Sequence, residues 1–112
     1  MPRFVVLKHT QDEGDHFDLM LEEGETLLTW SFDEFPAAGI SCKCLLNHRL
    51  RYLDYEGEIS DGRGVVKRVE SGTFDMIARM PEAFHITLRG KQLQGNFCLV
   101  QSDEDTWTLE AE

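Results

Sequence analysis

The chain has 112 residues, of which 41% are hydrophobic and 29% are charged. This length predicts one globular domain over residues 1–112 that buries roughly two thirds of the surface exposed by the unfolded chain. A formal net charge of −10 argues against general electrostatic affinity for nucleic acid or an anionic membrane. Residues 43–68 nevertheless hold six bases against four acids, so one local patch can still face a phosphate.

The sequence contains no apolar stretch of signal-peptide length and no run near the ~20 residues that a membrane helix needs. We therefore expect a cytoplasmic protein with no membrane partner. Three cysteines, an odd number, indicate reduced thiols in a reducing compartment. Cys42 and Cys44 form a Cys-x-Cys pair, a weak metal signal without a second pair, and we expect plain buried thiols there.

Short segments with β-strand character follow one another along the chain, separated by turn residues. Apolar and polar residues alternate with period two in several of them, as at Phe17, Leu19 and Leu21. Nine strands of typical length are predicted, at residues 3–8, 16–22, 26–32, 41–47, 64–70, 72–79, 83–89, 95–101 and 106–110. Many short strands with tight turns favour an all-β fold, a small closed or nearly closed antiparallel β-barrel.

The longer connections are expected at residues 10–15, 33–40 and 54–63. Loops of this kind usually carry function, so we expect them to surround the active site. A short helical turn is predicted near residues 33–38. No repeat or linker interrupts the series of strands.

The segment His16-Phe17-Asp18 is the most informative local feature. Residues i and i+2 of a strand project from the same face, so the imidazole and the carboxylate converge while Phe17 enters the core. His9 can supply a third ligand if residues 10–15 join the first two strands as a hairpin. Two imidazoles and a carboxylate suit Mn, Fe or Zn and leave positions open for water and substrate. On the local pattern alone, a His-x-Asp pair on the polar face of a strand is more often a solvated pair than a metal site.

Several longer segments match those of a known protein family in both their order and their spacing. They are RFVVLKH at 3–9, HFDLMLE at 16–22, LLTW at 27–30, HRLRYLDYEGEI at 48–59, SGTF at 71–74 and FHITLRGKQLQGNFCLV at 84–100. The chain resembles the 3′-phosphoesterase domain of bacterial DNA ligase D over nearly its whole length. The most specific parts are Lys-His followed by His-Phe-Asp, and the stretch from His48 to Gly57.

The resemblance implies a small β-barrel that binds a divalent metal, Mn²⁺ first and Zn²⁺ or another divalent ion otherwise. It implies a hydrolase that acts at DNA or RNA–DNA 3′ ends in end-joining repair, as a phosphodiesterase on a terminal ribonucleoside and then as a phosphomonoesterase on the 3′-phosphate. The resemblance also suggests a separate ligase or polymerase as a partner. The implied metal ligands are His9, His16 and Asp18. The resemblance makes His48 a phosphate contact and general acid, with Tyr52 reaching a phosphate oxygen.

Departures from the family pattern affect the residues that would hold the phosphate. Met20 stands where the family has an arginine, and Leu46 and Asn47 replace two acidic residues. No arginine matches the one expected around Ile40, and the glycine-rich loop is shortened to residues 60–64.

Three interpretations remain. The chain is an active phosphoesterase that uses other cations, it acts on a different phosphate ester, or it is a catalytically impaired metal- and phosphate-binding module. The replacement cations nearest in sequence are Arg49, Arg51 and Arg63. A rival enzyme class is a non-haem iron oxygenase, in which His16 and Asp18 would join a distant histidine, His48 or His85.

Overall fold

The computed structural model describes residues 1–59 and 62–112. The predicted all-β fold is confirmed, and no α-helix occurs in these two ranges. The strands are β1 (Arg3–Gln11), β2 (Gly14–Glu23), β3 (Thr26–Phe32), β4 (Ser41–Arg49), β5 (Gly57–Glu58), β6 (Val65–Met80), β7 (Ala83–Arg89), β8 (Gln94–Gln101) and β9 (Trp107–Ala111), with a 3₁₀ turn at Leu50–Leu53 between β4 and β5.

Hydrogen bonds join the strands into a nearly closed antiparallel ring. The order is β1-β2-β3-β4-β9-β8-β7-β6-β5, and β6 also pairs with β1. β4 and β9 are joined by two register pairs, Ser41 with Thr108 and Cys42 with Trp107, fewer than any other neighbouring strands of the ring apart from the short strand β5 and its partner β6. A ring of this kind leaves few unpaired strand edges exposed.

The predicted strands at residues 64–70 and 72–79 are one continuous strand, β6. Its first part pairs with β1 and its second part with β7. Gly72 is required here by close approach rather than by a turn, because a Cβ at this position would lie 2.1 Å from the carbonyl oxygen of Arg89. The two-residue strand β5 was not predicted, since it is too short to show periodicity.

Two of the predicted connections differ from the structure. The helical turn predicted at residues 33–38 is wrong, because that segment is irregular. The connection at 10–15 shrinks to a tight turn at residues 12 and 13, because β1 and β2 each extend farther than their apolar residues do. Ser60 and Asp61, in the shortened loop, lie outside the described residues. No helix within those residues is long and apolar enough to cross a membrane.

The β1–β2 wall of the ring separates two apolar layers. Phe4, Val6 and Leu19 face the ring interior and belong to the main core, whereas Val5 and Met20 face outward into a smaller layer. This smaller layer is completed by side chains from β3, the 3₁₀ turn and β6, namely Leu27, Leu53 and Val66. Segment 48–59 therefore packs over the outer face of the wall.

The cysteines are free thiols. The expected burial is confirmed for Cys42, where loss of solvent and the nearby Cys44 raise the pKa to about 12. It is wrong for Cys44, which is exposed. Strand alternation directs both side chains to one face, but among the described residues no third histidine, cysteine or carboxylate joins them in a metal-binding group.

Candidate metal centre and adjoining groove

The hairpin between β1 and β2 places His9 directly opposite His16. The prediction of His9 as a third ligand required that residues 10–15 join the first two strands as a hairpin, and the structure has that hairpin. Asp18 follows on the same face of β2, two residues farther along the strand, so all three side chains project from the outer face of the wall.

One ligand atom from each of these residues converges on a common point. His9 Nδ1 lies 3.1 Å from His16 Nε2, and His16 Nε2 lies 3.4 Å from Asp18 Oδ1. The three atoms all lie within 4.8 Å of one another. Neighbouring ligands around a metal with bonds of about 2.0–2.2 Å are separated by about 2.8–3.6 Å, so the spacing fits a divalent ion.

The backbone at Arg63 fixes which nitrogen of His9 is available. His9 Nε2 lies 2.6 Å from the Arg63 carbonyl oxygen, which only accepts hydrogen bonds, so Nε2 carries the proton. The lone pair then resides on Nδ1, the atom that faces His16. A carbonyl that orients a histidine in this way is the usual support of a metal ligand.

Asp18 is 4% exposed, and its Oδ1 atom is buried without a hydrogen-bond partner. Burial raises the pKa of this carboxyl, against the opposing effects of His16, His48, the Ser31 hydroxyl and His9. A buried carboxylate oxygen with no donor is costly unless a cation meets it. The residues present therefore fit a divalent metal.

A cavity of about 160 Å³ adjoins this cluster. His9 and Asp18 line it together with Met20, His48 and Tyr52. Met20 is 1% exposed and lies on the same face as Asp18, as strand alternation predicts. An apolar thioether thus forms part of the wall beside the ligand atoms.

A larger groove of about 390 Å³ continues from this cavity, and His48, Tyr52, Ile59 and Arg63 line both spaces. Arg49, Arg51 and Arg63, the expected replacement cations, all line the larger groove. Among the described lining residues the only carboxylate is that of Glu58. The groove is therefore a positive patch on a chain whose net charge is −10.

His48 stands where the two spaces meet. Its Nδ1 donates to the Leu46 carbonyl oxygen at 2.9 Å, so Nε2 is the nitrogen available to a ligand. Its ring lies edge-on to Tyr52, with 6.0 Å between ring centroids. The Arg51 guanidinium lies over the Tyr55 ring at 4.5 Å, and the Tyr55 hydroxyl donates to the Glu58 carbonyl oxygen. These contacts order the groove wall.

The departures from the family pattern have distinct places in the structure. Leu46 is 89% exposed and lines the larger groove, where its side chain meets solvent. Ile40 packs against the main core and is not among the residues that line the groove. Of the two distant histidines of the oxygenase alternative, His85 lies on β7 beside Cys98 and Glu112, and His48 lines the small cavity with Asp18. His9 joins His16 and Asp18 instead.

Two residues of the site were missed from sequence. Gln11 lines the small cavity, and its side-chain amide donates to the Arg63 carbonyl oxygen at 3.2 Å. The period-two spacing from His9 could have identified it, because residues i and i+2 share a face. Ile59 lines both spaces, and its place depends on a loop that periodicity does not reveal.

Comparison with known protein families gives one match. Residues 7–101 match the family model of the DNA Ligase D 3′-phosphoesterase domain. No curated protein matched the chain. The matched range contains each of the ligand and groove residues described above.

Proposed function

The chain belongs to the DNA Ligase D 3′-phosphoesterase domain family, and from that membership we propose that it is a metal-dependent hydrolase of phosphate esters at nucleic-acid 3′ ends. Its substrates would be a terminal ribonucleoside and a 3′-phosphate on DNA or RNA–DNA ends. Their removal leaves the 3′-hydroxyl that a separate ligase or polymerase requires. We place this activity in DNA repair in the cytoplasm.

One observation carries the proposal: three ligand atoms of His9, His16 and Asp18 converge beside a groove lined by arginines. Such a set would hold Mn²⁺, or Zn²⁺ or another divalent ion, at the start of the groove. A bound divalent ion would polarise a phosphoryl oxygen and lower the pKa of a water molecule. Convergence of metal ligands and cations at one place is what phosphoester hydrolysis needs.

The protein's own side chains would do the remaining work. His48 Nε2 is the nitrogen left available by the bond to Leu46, and a protonated imidazole there can give its proton to the departing oxygen. Tyr52, which lines both spaces, can donate its hydroxyl to a phosphate oxygen. Arg49, Arg51 and Arg63 would hold the phosphates of the strand in the larger groove.

Met20 favours a second candidate function. A buried thioether lies beside the ligand atoms, where a guanidinium would otherwise grip the phosphate. A chain with this change could bind metal and phosphate without turnover, or act on a different phosphate ester. The net charge of −10 fits weak binding to duplex DNA.

A primer–template with a 3′-terminal ribonucleotide, and a second with a 3′-phosphate, test the first candidate against the second. With Mn²⁺ the wild-type chain should trim both, and H48Q should trim them roughly 10²–10⁴ times more slowly. H85Q, which removes a histidine outside the groove, is the matched control and should retain the wild-type rate. Absence of product from a chain shown to bind Mn²⁺ would favour the binding module.

A further inference from the structure

A second group of metal-binding side chains lies on the other side of the ring, on β7, β8 and the end of β9. His85 Nδ1 lies 2.9 and 3.1 Å from the two carboxylate oxygens of Glu112, and Cys98 Sγ lies 3.8 Å from His85 Nε2. One ligand atom from each residue can be chosen so that all three lie within 4.8 Å of one another.

The strand register builds this cluster. His85 and Cys98 are direct cross-strand partners on β7 and β8. Phe97 and Leu99 face the main core, so alternation directs Cys98 to the outer face, where it is nevertheless 5% exposed. Glu112 is placed by its backbone N–H, which donates to the Asn96 carbonyl oxygen at 2.9 Å and continues the β8–β9 pairing.

The donor set suits a thiophilic divalent ion. The two short contacts of His85 involve different ring nitrogens, so an ion beside Cys98 would bond to Nε2, and a Glu112 oxygen would turn from Nδ1 toward the ion. Zinc binds sulfur at about 2.3 Å and imidazole nitrogen at about 2.0–2.1 Å, which separates the two atoms by about 3.5 Å in a tetrahedral site. The observed 3.8 Å between Cys98 Sγ and His85 Nε2 is close to that value. A cavity of about 460 Å³, lined in part by His85 and Glu112, gives an ion a way in.

We propose that His85, Cys98 and Glu112 form a second metal site, selective for a thiophilic ion such as Zn²⁺ and separate from the cluster of His9, His16 and Asp18. Sulfur, nitrogen and oxygen donors favour Zn²⁺ over Mn²⁺, whereas the first cluster offers nitrogen and oxygen only. The site would tie three strands of the ring together. It has no part in the proposed hydrolysis.

A nucleophilic thiol is the competing interpretation of a cysteine, a histidine and a carboxylate in a row. Cys98 is almost fully buried, so a substrate carbonyl could not reach its sulfur. Metal ligation therefore explains the cluster better than covalent catalysis does.

Titration with Co²⁺ tests the proposal, because thiolate-bound Co²⁺ gives an intense near-ultraviolet charge-transfer band that nitrogen and oxygen ligands do not. The wild-type chain and C44S, which removes the exposed cysteine, should both develop the band. C98S should lack it. D18N, which alters the other cluster, should retain it, so this result is independent of the proposed hydrolase activity.

A milder variant guards against a folding defect in C98S. E112Q changes an exposed residue. We expect it to raise the Co²⁺ concentration at the midpoint of the titration by roughly 10–100-fold, while its circular dichroism spectrum stays that of the wild type. Absence of the band from the wild-type chain, its persistence in C98S, its loss in C44S, or an unchanged midpoint in E112Q would each overturn the second site.

Discussion

His9 Nδ1 and His16 Nε2 face each other at 3.1 Å across a cross-strand pair of β1 and β2. His9 Nε2 donates its proton in a hydrogen bond to the Arg63 carbonyl oxygen, so the lone pair of His9 is on Nδ1 and points at His16. The Oδ1 atom of Asp18 completes the group without a hydrogen-bond donor of its own.

Mn²⁺ should stabilise the wild-type chain and should not stabilise D18N. At 100 times the Kd, a ligand that binds only the folded state adds about 2.7 kcal/mol to the free energy of unfolding. Without metal, D18N should unfold at no lower a temperature than the wild type, because the change removes a buried and partly uncompensated charge. Thermal unfolding with and without Mn²⁺ measures both effects.

The control for that experiment is D15N. Asp15 is an exposed carboxylate on the same strand as Asp18, and it forms an ion pair with Lys8. It should keep the Mn²⁺ stabilisation of the wild type. Equal stabilisation of the wild type and D18N would remove Asp18 from the ligand set.

Gly64 should be intolerant of a side chain. Its φ is +104°, and a Cβ there would lie 2.2 Å from the Thr10 carbonyl oxygen and 3.2 Å from His9 Nε2. G64A should therefore cost more than about 1 kcal/mol of unfolding free energy and weaken Mn²⁺ binding, since the loop that holds His9 must move. Chemical denaturation and calorimetric titration with Mn²⁺ measure the two losses.

G62A is the matched control, because Gly62 also has a positive φ, +67°, but its Cβ would meet open space. It should carry only the backbone penalty and keep the Mn²⁺ affinity. A G64A protein that binds Mn²⁺ as tightly as G62A would show that this loop does not position His9.

M20R should raise the affinity for inorganic phosphate. The new guanidinium would enter the cavity that His9, Asp18 and His48 line, where it can grip a phosphate with two hydrogen bonds. Calorimetric titration with phosphate, in the presence of Mn²⁺, measures the change.

M80R places the same charge on β6, at a half-exposed position that neither described cavity includes in its lining. It should leave the phosphate affinity as in the wild type. If M20R and M80R bind phosphate equally well, Met20 does not occupy the phosphate position.

Glu70 should stabilise the ring as a carboxylate. It is 4% exposed, and its oxygens accept the backbone N–H groups of Ser71, Lys91, Gln92 and Leu93 at 2.5–3.1 Å. Burial tends to raise its pKa, but these four hydrogen bonds outweigh burial and lower it. E70Q should cost about 2–3 kcal/mol, because an amide nitrogen would then face backbone donors.

The pH dependence follows from the lowered pKa. The contribution of Glu70 is present above the pKa of a glutamate in the unfolded chain and is lost as the pH falls through the folded-state value. The stability difference between the wild type and E70Q should therefore shrink in acid. Denaturation at neutral and acidic pH, with E110Q as an exposed control, measures it; a difference that grows toward low pH would contradict the assignment.

The core of the candidate site could be predicted from sequence because it depends on strand periodicity alone. His16 and Asp18 share a face by spacing, and a hairpin places His9 beside them. The position of His48 and the arginines could not be derived that way. It depends on a 3₁₀ turn and a two-residue strand, which are too short to leave a periodic signal.

Tertiary contacts also account for the errors in the strands. Gly72 looks like a turn residue in sequence, yet it lies within β6. Glycine is required there because the backbone of Arg89 approaches too closely for any side chain. That approach is not visible before the ring closes. In segment 33–38, Pro36 disfavours the helical conformation at Phe35, and so few residues do not form a stable helix by themselves.

Mn²⁺-dependent release of the 3′-phosphate from a primer–template, measured for the wild type and D18N across a range of Mn²⁺ concentrations, tests the central claim most directly. We predict that the wild-type rate saturates with Mn²⁺ and disappears with a chelator, and that D18N requires at least about tenfold more Mn²⁺ or gives no product. Identical Mn²⁺ curves for the two proteins would contradict the claim that His9, His16 and Asp18 hold the metal that hydrolysis requires.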